Sequence, residues 1–248
     1  MTLIPNVKLS NGIEIPIIGL GTYSRSAESG QYAQAVEWAI DAGYRHIDTA
    51  YIYRNEVEVG KAIKNKIKQG SVSRDELFVT TKLWNDCHAE RDVVPKLKES
   101  LTNLGMDYVD LYLVHWPMSA NINPTLTQHP LVDYCKQHSV VPVAYTPLGL
   151  ISEARPEFAG KDHIKTDRKL GEIAEKYGKS RAQIALRYLI QRDIVVIPKS
   201  FTKSRIEENF NIFDFTLTDD EMAAVDSYNM DHRCVPASIY KNVTNYPF

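Results

Sequence analysis

The sequence predicts an α/β fold in which parallel strands are joined by helical crossovers. Short apolar runs alternate with helical stripes in the order βαβαβαβ as far as His115, which is the pattern of parallel strands. Polar and ionisable residues stand at the ends of successive strands, where the functional sites of such folds lie. No linker or internal repeat divides the 248 residues, and we therefore predict a single domain over residues 1–248.

Six apolar runs have the length of buried strands, and they cover residues near 15–20, 44–48, 77–81, 109–114, 140–145 and 194–197. Apolar residues at spacings of three and four predict helices over residues 32–40, 59–67, 93–104, 131–137, 167–177, 181–191, 205–209 and 219–227. Ser180 with Gln183 and Thr218 with Glu221 form capping boxes at the starts of two of these helices. Residues 116–129 show no periodicity, so the alternation breaks directly after the fourth strand.

This alternation suits two architectures, a doubly wound sheet and a (β/α) barrel. The doubly wound dinucleotide-binding fold carries a GxGxxG motif after its first strand. Here the corresponding stretch is GLGTYS over residues 19–24, and it lacks the third glycine. The missing glycine weakens the doubly wound interpretation without excluding it.

Charge and composition argue against several classes of protein. The chain has 29 Lys and Arg against 31 Asp and Glu, so it lacks the basic surface of nucleic-acid binders and of polybasic membrane-surface proteins. The N-terminus lacks the regions of a signal peptide, and no apolar stretch is long enough to span a bilayer. Cys87, Cys135 and Cys234 are widely spaced and form no CxxC motif. We therefore predict a cytoplasmic protein without a metal site or a disulfide framework.

Four residues that follow apolar strands form a candidate proton-transfer site. Asp48, Lys82 and His115 stand at the ends of the second, third and fourth strands, and Tyr53 lies in the loop after Asp48. In a barrel these positions meet at one mouth. An ammonium beside a phenol favours the phenolate, so we expect Lys82 to lower the pKa of Tyr53. Each residue alone also fits a structural role, such as an aspartate that caps a helix. The four together favour function.

Several longer segments resemble the aldo-keto reductase family. The segments that carry the resemblance are RHIDTAYIYRNE (45–56), TTKLW (80–84), DLYLVHWP (110–117), AYTPLG (144–149), IPKS (197–200) with Arg205, Glu208 and Asn209, and NYPF (245–248). They occur in the order that the family has and span nearly the whole chain. The resemblance implies a TIM-type (β/α) barrel with an N-terminal β-hairpin.

The resemblance also implies an oxidoreductase that reduces aldehydes or ketones to alcohols with NADPH. Matched to the family motifs, Tyr53 is the proton donor, Lys82 lowers its pKa, Asp48 pairs with Lys82, and His115 orients the carbonyl. The positions that match the substrate pocket are Tyr23, Trp84, His115 and Trp116, although aromatic residues of this kind also fit ordinary core packing.

Matching positions for the cofactor come from three parts of the chain. They are Gly21, Thr22, Tyr23, Asp48, Tyr145, Thr146, Leu148, Lys199, Ser200, Phe201, Arg205, Glu208 and Asn209. By the resemblance, Lys199, Ser200 and Arg205 grip the 2′-phosphate, which a guanidinium can bind bidentately. Glu208 and Asn209 meet the adenine, and Tyr145 stacks on the nicotinamide.

One departure from the family concerns the middle of the barrel. The family has eight strands, and this sequence shows six. At about 30 residues per βα unit, about 60–70 residues are missing between the fourth strand and Tyr145. Met118 and Ser119 stand where the family has an Asn-Gln pair, and the family's Ser-Asn loop is absent. The barrel is therefore expected to be incomplete between about 117 and 121.

Two structural outcomes of this departure are open. The strands near 109–114 and 140–145 either pair and close a narrower barrel, or stay apart and leave unpaired edges, which promote aggregation. Two functional outcomes follow. The chain is an active carbonyl reductase, or a catalytically impaired truncated isoform that binds cofactor weakly or acts only through protein contacts. The expected partner is a small-molecule carbonyl substrate, and the expected state is a monomer that associates if its edges are open.

Overall fold

The computed structural model describes residues 4–24, 26–115, 121–151, 164 and 167–231. The sequence-based predictions for Trp116, Met118, Ser119, Cys234 and the NYPF motif at 245–248 lie outside this part of the chain.

The described strands are short and the described helices are amphipathic. The strands are β1 (Asn6–Lys8), β2 (Glu14–Pro16), β3 (Leu20–Gly21), β4 (His46–Asp48), β5 (Phe78–Leu83), β6 (Leu111–Val114), β7 (Val143–Ala144) and β8 (Val195–Val196). The α-helices are α1 (Gln31–Ala42), α2 (Glu56–Lys68), α3 (Glu90–Leu104), α4 (His129–Gln137), α5 (Arg168–Tyr177), α6 (Arg181–Gln191), α7 (Lys203–Phe210) and α8 (Asp219–Asp226). Short 3₁₀ turns lie between them at Tyr51–Tyr53, Arg74–Glu76, Asn85–Cys87 and Gly149–Ile151.

The structure corrects the sequence-based prediction of a single strand over residues 15–20, because the run is divided between two strands. Its first part belongs to β2, which forms the expected N-terminal hairpin by pairing antiparallel to β1, with Ile15 opposite Val7. Its last part is β3, which pairs parallel to β4, with Leu20 opposite Ile47. The run is divided because its two ends pair with different strands. The choice of pairing partner depends on distant parts of the chain, so the apolar content of the run does not predict it.

The parallel strands form one continuous wall. β3, β4, β5 and β6 pair in that order, with Asp48 opposite Thr80 and Lys82 opposite Leu113. β7 pairs with β8, and a parallel bridge between Ile18 and Val196 joins the two sheets. The strand order is therefore β6–β5–β4–β3–β8–β7, which confirms the predicted parallel α/β architecture.

Within the described residues, no hydrogen bonds between strands join the first strand of the wall, β6, to the last, β7. Among the described strands, β6 is hydrogen-bonded to β5 alone, and the far side of β7 is continued by a single parallel bridge from Asn121 to Tyr145. Of the two outcomes considered above, the strands near 109–114 and 140–145 stay apart. Val114, the last residue of β6, is 57% exposed.

Helices cover the outside of the wall as their apolar stripes require. In α1, Ala35, Val36, Ala39 and Ile40 are buried, and burial of one such Val or Ile side chain stabilises the fold by about 1.5–3 kcal/mol. The two predicted capping boxes, at the starts of α6 and α8, are present. Within the described ranges no helix is long and apolar enough to cross a membrane.

Many of the exposed apolar side chains lie on the two segments that end in the outermost strands of the wall, β6 and β7. Of the nine large apolar residues that are exposed in the described part of the chain, five belong to the α3–β6 and α4–β7 segments, namely Val94, Tyr108, Val114, Tyr134 and Val140. The residues of β6 are Leu, Tyr, Leu and Val, so this edge has neither the charge nor the proline that normally blocks edge-to-edge pairing.

We expect the protein to associate as its concentration rises, and Val114→Lys to shift that association to higher concentration by placing a charge on the open edge. Sedimentation velocity over a concentration series measures this. Ile13→Lys is the matched control, because Ile13 is 49% exposed and lies at the N-terminal hairpin. Equal behaviour of both variants would show that the β6 edge does not mediate association.

Candidate functional site

A buried ion pair joins two neighbouring strands at their carboxyl ends. Lys82 Nζ donates to Asp48 Oδ1 at 2.7 Å and to the carbonyl oxygen of Thr49 at 2.8 Å. Asp48 is 4% and Lys82 7% exposed. Burial raises the pKa of the Asp48 carboxyl, and the Lys82 ammonium opposes that shift. Pairing of this kind is what allows two charges to stay in a dry site.

Tyr53 lies above this pair, where the 3₁₀ turn after β4 places it. Lys82 Nζ is 5.1 Å from the centre of the Tyr53 ring, and the Tyr53 hydroxyl is 3.4 Å from His115 Nε2. The four residues that the sequence suggested as a proton-transfer site are thus brought together by three successive strands.

The sequence predicts a lowered pKa for Tyr53, whereas the net pKa of its phenol is raised in this structure. The pKa of the Tyr53 phenol is raised well above its ordinary value, first by burial and then by the Asp48 carboxylate and the neighbouring Tyr23 and Tyr145. Burial is the main cause because it disfavours the charged phenolate, and the Asp48 carboxylate beside the Lys82 ammonium adds to the effect.

His115 is held as a neutral imidazole. Burial, followed by the Lys82 ammonium, lowers its pKa to about 3, and the residue is 8% exposed. A neutral imidazole can donate a hydrogen bond from one ring nitrogen and accept one at the other. It therefore adds a hydrogen-bonding group beside Tyr53 without adding a second cation.

Aromatic rings form a wall beside these groups. The rings of Tyr23 and Tyr53 are 5.0 Å apart, and Trp84 meets His115 edge-on at 5.2 Å. Tyr23 is 45% exposed, so the wall reaches the surface. Two of the predicted pocket residues, Tyr23 and Trp84, thus lie against the proton-transfer group, which leaves an apolar approach to Tyr53.

The predicted cofactor residues form a second group along the ends of β3 and β8. A Cβ atom on Gly21 would lie 2.7 Å from the carbonyl oxygen of Ile197 and 3.8 Å from Lys199 Cβ, so this position requires glycine. Thr22 donates its hydroxyl to the carbonyl oxygen of Asp48 at 2.9 Å. These contacts connect the ion pair to the loop that carries Lys199.

Two exposed cations stand in that loop and on α7. Lys199 and Arg205 are both exposed, Ser200 accepts from the Thr202 amide at 3.1 Å, and Phe201 packs edge-on against Tyr32 at 5.3 Å. Two cations beside a serine hydroxyl are a donor set suited to a phosphate monoester.

The remaining predicted cofactor residues lie on α7 and in the segment that follows β7. The Glu208 side chain accepts from the Ser180 hydroxyl, and Asn209 is buried. Tyr145 follows β7, and Leu148 is partly buried against the core. Thr146 donates to Asn121 Oδ1 at 2.7 Å.

Three residues at the site were not singled out from the sequence. Thr49 carries the carbonyl that binds Lys82, Asn55 bonds to Thr49, and Asn121 bonds to Thr146. An asparagine before a helix normally indicates a cap, which is why Asn55 gave no functional signal. Asn121 gave no functional signal in the sequence because its partner, Thr146, is distant along the chain.

Comparison with known proteins matches the sequence of this chain to one family. The sequence profile of the Aldo/keto reductase family matches residues 17–121 and 118–230. The chain is 39% identical to aldo-keto reductase AKR2E4 of Bombyx mori, over 98% of both chains, and 39% identical to 9,11-endoperoxide prostaglandin H2 reductase of Trypanosoma cruzi, over 92% of both.

The fold is also similar to a solved structure of this family. The crystal structure of Bombyx mori AKR2E4 in complex with NADP superposes with a TM-score of 0.92 at 38% identity, covering 100% of both chains. The sequence alignment with AKR2E4 extends over 303 residues, whereas this chain has 248. At least 55 aligned positions (303 minus 248) therefore have no residue here.

The buried neutral His115 makes the stability of the fold depend on pH. Because its pKa is about 3 in the folded state and about 6.5 when unfolded, its contribution is complete above pH 6.5 and is lost as the pH falls towards 3. Between pH 7.5 and 5 we expect this residue to account for a loss of about 2 kcal/mol in the free energy of unfolding.

Urea denaturation of the parent chain and of His115→Gln at both pH values measures this. The free energy of unfolding of the variant should fall less between pH 7.5 and pH 5, because only the other titrating groups still contribute to the fall. His138→Gln is the control, since His138 is exposed, and it should keep the full pH dependence. An unchanged pH dependence in His115→Gln would show that His115 titrates normally.

Proposed function

This chain belongs to the aldo/keto reductase family, and on that premise we propose that it reduces an aldehyde or ketone to an alcohol with NADPH. The observation that carries the proposal is the buried Lys82–Asp48 pair beneath the protonated phenol of Tyr53, with His115 3.4 Å from its hydroxyl. This group combines a proton source, a cation and a neutral hydrogen-bonding imidazole at one point.

Tyr53 supplies the proton in this proposal. NADPH, when bound, would supply the hydride for the carbonyl carbon. The phenol of Tyr53 gives its proton to the carbonyl oxygen, so that the C=O double bond becomes a C–O single bond with one new C–H and one new O–H bond. Its raised pKa keeps the proton on the phenol until the oxygen becomes basic enough to take it.

The other members of the group support that transfer. The phenolate that forms lies near the Lys82 ammonium, 5.1 Å from the ring centre, and is stabilised by it. Asp48 holds Lys82 in place and compensates its charge. His115 donates to the carbonyl oxygen and orients it towards Tyr53, a role that a neutral imidazole fulfils.

The contacts at β3 and β8 support NADPH as the cofactor. Gly21 lets the end of β3 pack closely against Ile197, two residues before Lys199, and Lys199, Ser200 and Arg205 offer the donors for the 2′-phosphate. In the proposal, Phe201, Glu208 and Asn209 hold the adenosine. The cofactor set is completed at the nicotinamide end by Thr22, Tyr23, Asp48, Tyr145, Thr146 and Leu148.

The aromatic wall indicates the class of substrate. Tyr23 and Trp84 lie against Tyr53 and His115, so a carbonyl that approaches Tyr53 passes apolar rings. We propose that the substrate is an apolar aldehyde or ketone, and that Trp116, which the resemblance assigns to substrate binding, also contacts it. We also propose that the protein works in the cytoplasm, as a monomer at low concentration.

The side of β6 that has no partner among the described strands favours a second candidate function. We infer that an internal deletion of about two βα units lies there, supported by the division of the family match near residues 118–121 and by the length of the alignment. The side chains that hold the nicotinamide carboxamide in the family fall in this part. A truncated isoform with impaired catalysis and weak cofactor binding is therefore the alternative.

Tyr53→Phe should lower the rate of NADPH-dependent carbonyl reduction by at least about 100-fold, because the ring remains and the acidic proton is lost. The rate of NADPH oxidation with a panel of apolar aldehydes measures this. Tyr51→Phe is the matched control, as it removes the hydroxyl from the same 3₁₀ turn and should leave the rate unchanged.

Two results would contradict parts of this proposal. If the parent chain binds NADPH, seen as a change in NADPH fluorescence, but reduces no carbonyl, the impaired isoform is the better description. If the parent chain reduces carbonyls and Tyr53→Phe matches it, Tyr53 is not the proton donor.

Arg205→Ala should weaken NADPH binding by about 10- to 100-fold and NADH binding far less, because a charge-assisted hydrogen bond contributes about 1.5–3 kcal/mol. Fluorescence titration with each cofactor measures this. Lys203→Ala is the control, since Lys203 is exposed on the same helix and lies 3.8 Å from Glu207. Equal losses for both cofactors would show that Arg205 does not contact the 2′-phosphate.

A further inference from the structure

Asn55 stands where a helix-capping side chain is expected but does not cap the helix. It is the N-cap residue of α2, and its side chain makes no hydrogen bond to the first turn. Asparagine at this position normally accepts from the second or third amide of the helix. Asn55 is instead 1% exposed, and its side chain points back towards β3 and β4.

The Asn55 side chain bonds to both of these strand ends. Its Oδ1 accepts from the Thr49 hydroxyl at 2.7 Å, and its Nδ2 donates to the carbonyl oxygen of Thr22 at 3.0 Å. Thr22 in turn donates its hydroxyl to the carbonyl oxygen of Asp48 at 2.9 Å. One amide group therefore links the ends of β3 and β4, next to the ion pair.

Thr49 links this amide to the ammonium. Its hydroxyl binds Asn55, its amide donates to the carbonyl oxygen of Thr80 at 2.9 Å, and its own carbonyl oxygen accepts from Lys82 Nζ at 2.8 Å. Thr49 is fully buried. A shift of its backbone would therefore move one of the two oxygens that hold Lys82 beneath Tyr53.

We propose that Asn55 and Thr49 are positioning residues for catalysis, which hold the Thr49 carbonyl on Lys82 and so keep the ammonium beneath the Tyr53 ring. This inference rests on the proposed function, since it assigns Lys82 a part in the reaction. Asn55 also lies two residues after Tyr53, so the same amide ties the turn that carries the phenol to the strand that carries Asp48.

Asn55→Ser separates this role from helix capping. Serine is as good an N-cap as asparagine, but its side chain is too short to reach both Thr49 and Thr22. If Asn55 only stabilises α2, the serine variant should match the parent. If it positions Lys82, kcat should fall by about tenfold, which corresponds to about 1.4 kcal/mol, while KM for NADPH stays unchanged.

Thr49→Val and Thr49→Ser test the other end of the same hydrogen bond. Valine has nearly the shape of threonine without the hydroxyl and should lower kcat as Asn55→Ser does. Serine keeps the hydroxyl and should restore most of the rate. Asn65→Ala is the control on the same helix, because Asn65 donates to Glu37 at 3.1 Å, a contact of two side chains outside the site.

A second measurement in the cofactor-free protein reports on Lys82 directly. The rate of its acylation by an amine-selective reagent, followed by mass spectrometry, should rise in Asn55→Ser and Thr49→Val as the ammonium becomes more mobile. Lys66 is the internal reference, because it lies on α2 and is 2.7 Å from Asp41, and its side chain is 9% exposed, as is that of Lys82.

The outcomes separate this inference from the proposed function. Faster acylation of Lys82 alone, with a lower kcat, supports the positioning role. Equal acceleration at Lys66 and Lys82 shows general loosening and overturns it, as do unchanged values in Asn55→Ser and Thr49→Val. If the parent chain reduces no carbonyl, the proposed function fails, whereas the acylation rates still decide whether Asn55 and Thr49 hold Lys82.

Discussion

A single ammonium–carboxylate contact between neighbouring strands determines how the rest of the site is built. Leaving either Lys82 or Asp48 buried without the other would cost about 3–5 kcal/mol, so β4 and β5 must keep their register, with Asp48 opposite Thr80. The surrounding groups are arranged around this pair without further net charge. Burial and Lys82 lower the pKa of both His46 and His115 to about 3, so neither imidazole competes as a cation.

The same contact explains why proximity to a lysine does not by itself acidify the tyrosine. The opposite charges of Lys82 and Asp48 lie side by side beneath Tyr53, and burial of the phenol is the main cause of its raised pKa. A tyrosine in this state stays protonated. It becomes a donor only when an oxygen that needs a proton is placed beside it.

Features that depend on neighbours in the sequence were predictable, and those that depend on distant partners were not. The apolar face of α1 and the capping boxes at Ser180 and Thr218 follow from the local spacing of residues, and the structure shows all of them. The division of the run 15–20 depends on β1 and β4, which no local pattern specifies. Asn55 illustrates the same limit, because its identity suggests a cap and only the folded chain shows Thr49 as its partner.

The open wall has a consequence for how long the site stays assembled. A strand inside a closed barrel has two neighbours, whereas β6 is held within the described wall by β5, whose last residue, Leu83, also accepts from the His115 amide at 3.0 Å. Local opening begins where a backbone has the fewest partners, so β6 amides should exchange with solvent sooner than those of β4. His115 would then leave Tyr53 through fraying of its strand, while Asp48 and Lys82 remain paired in the interior.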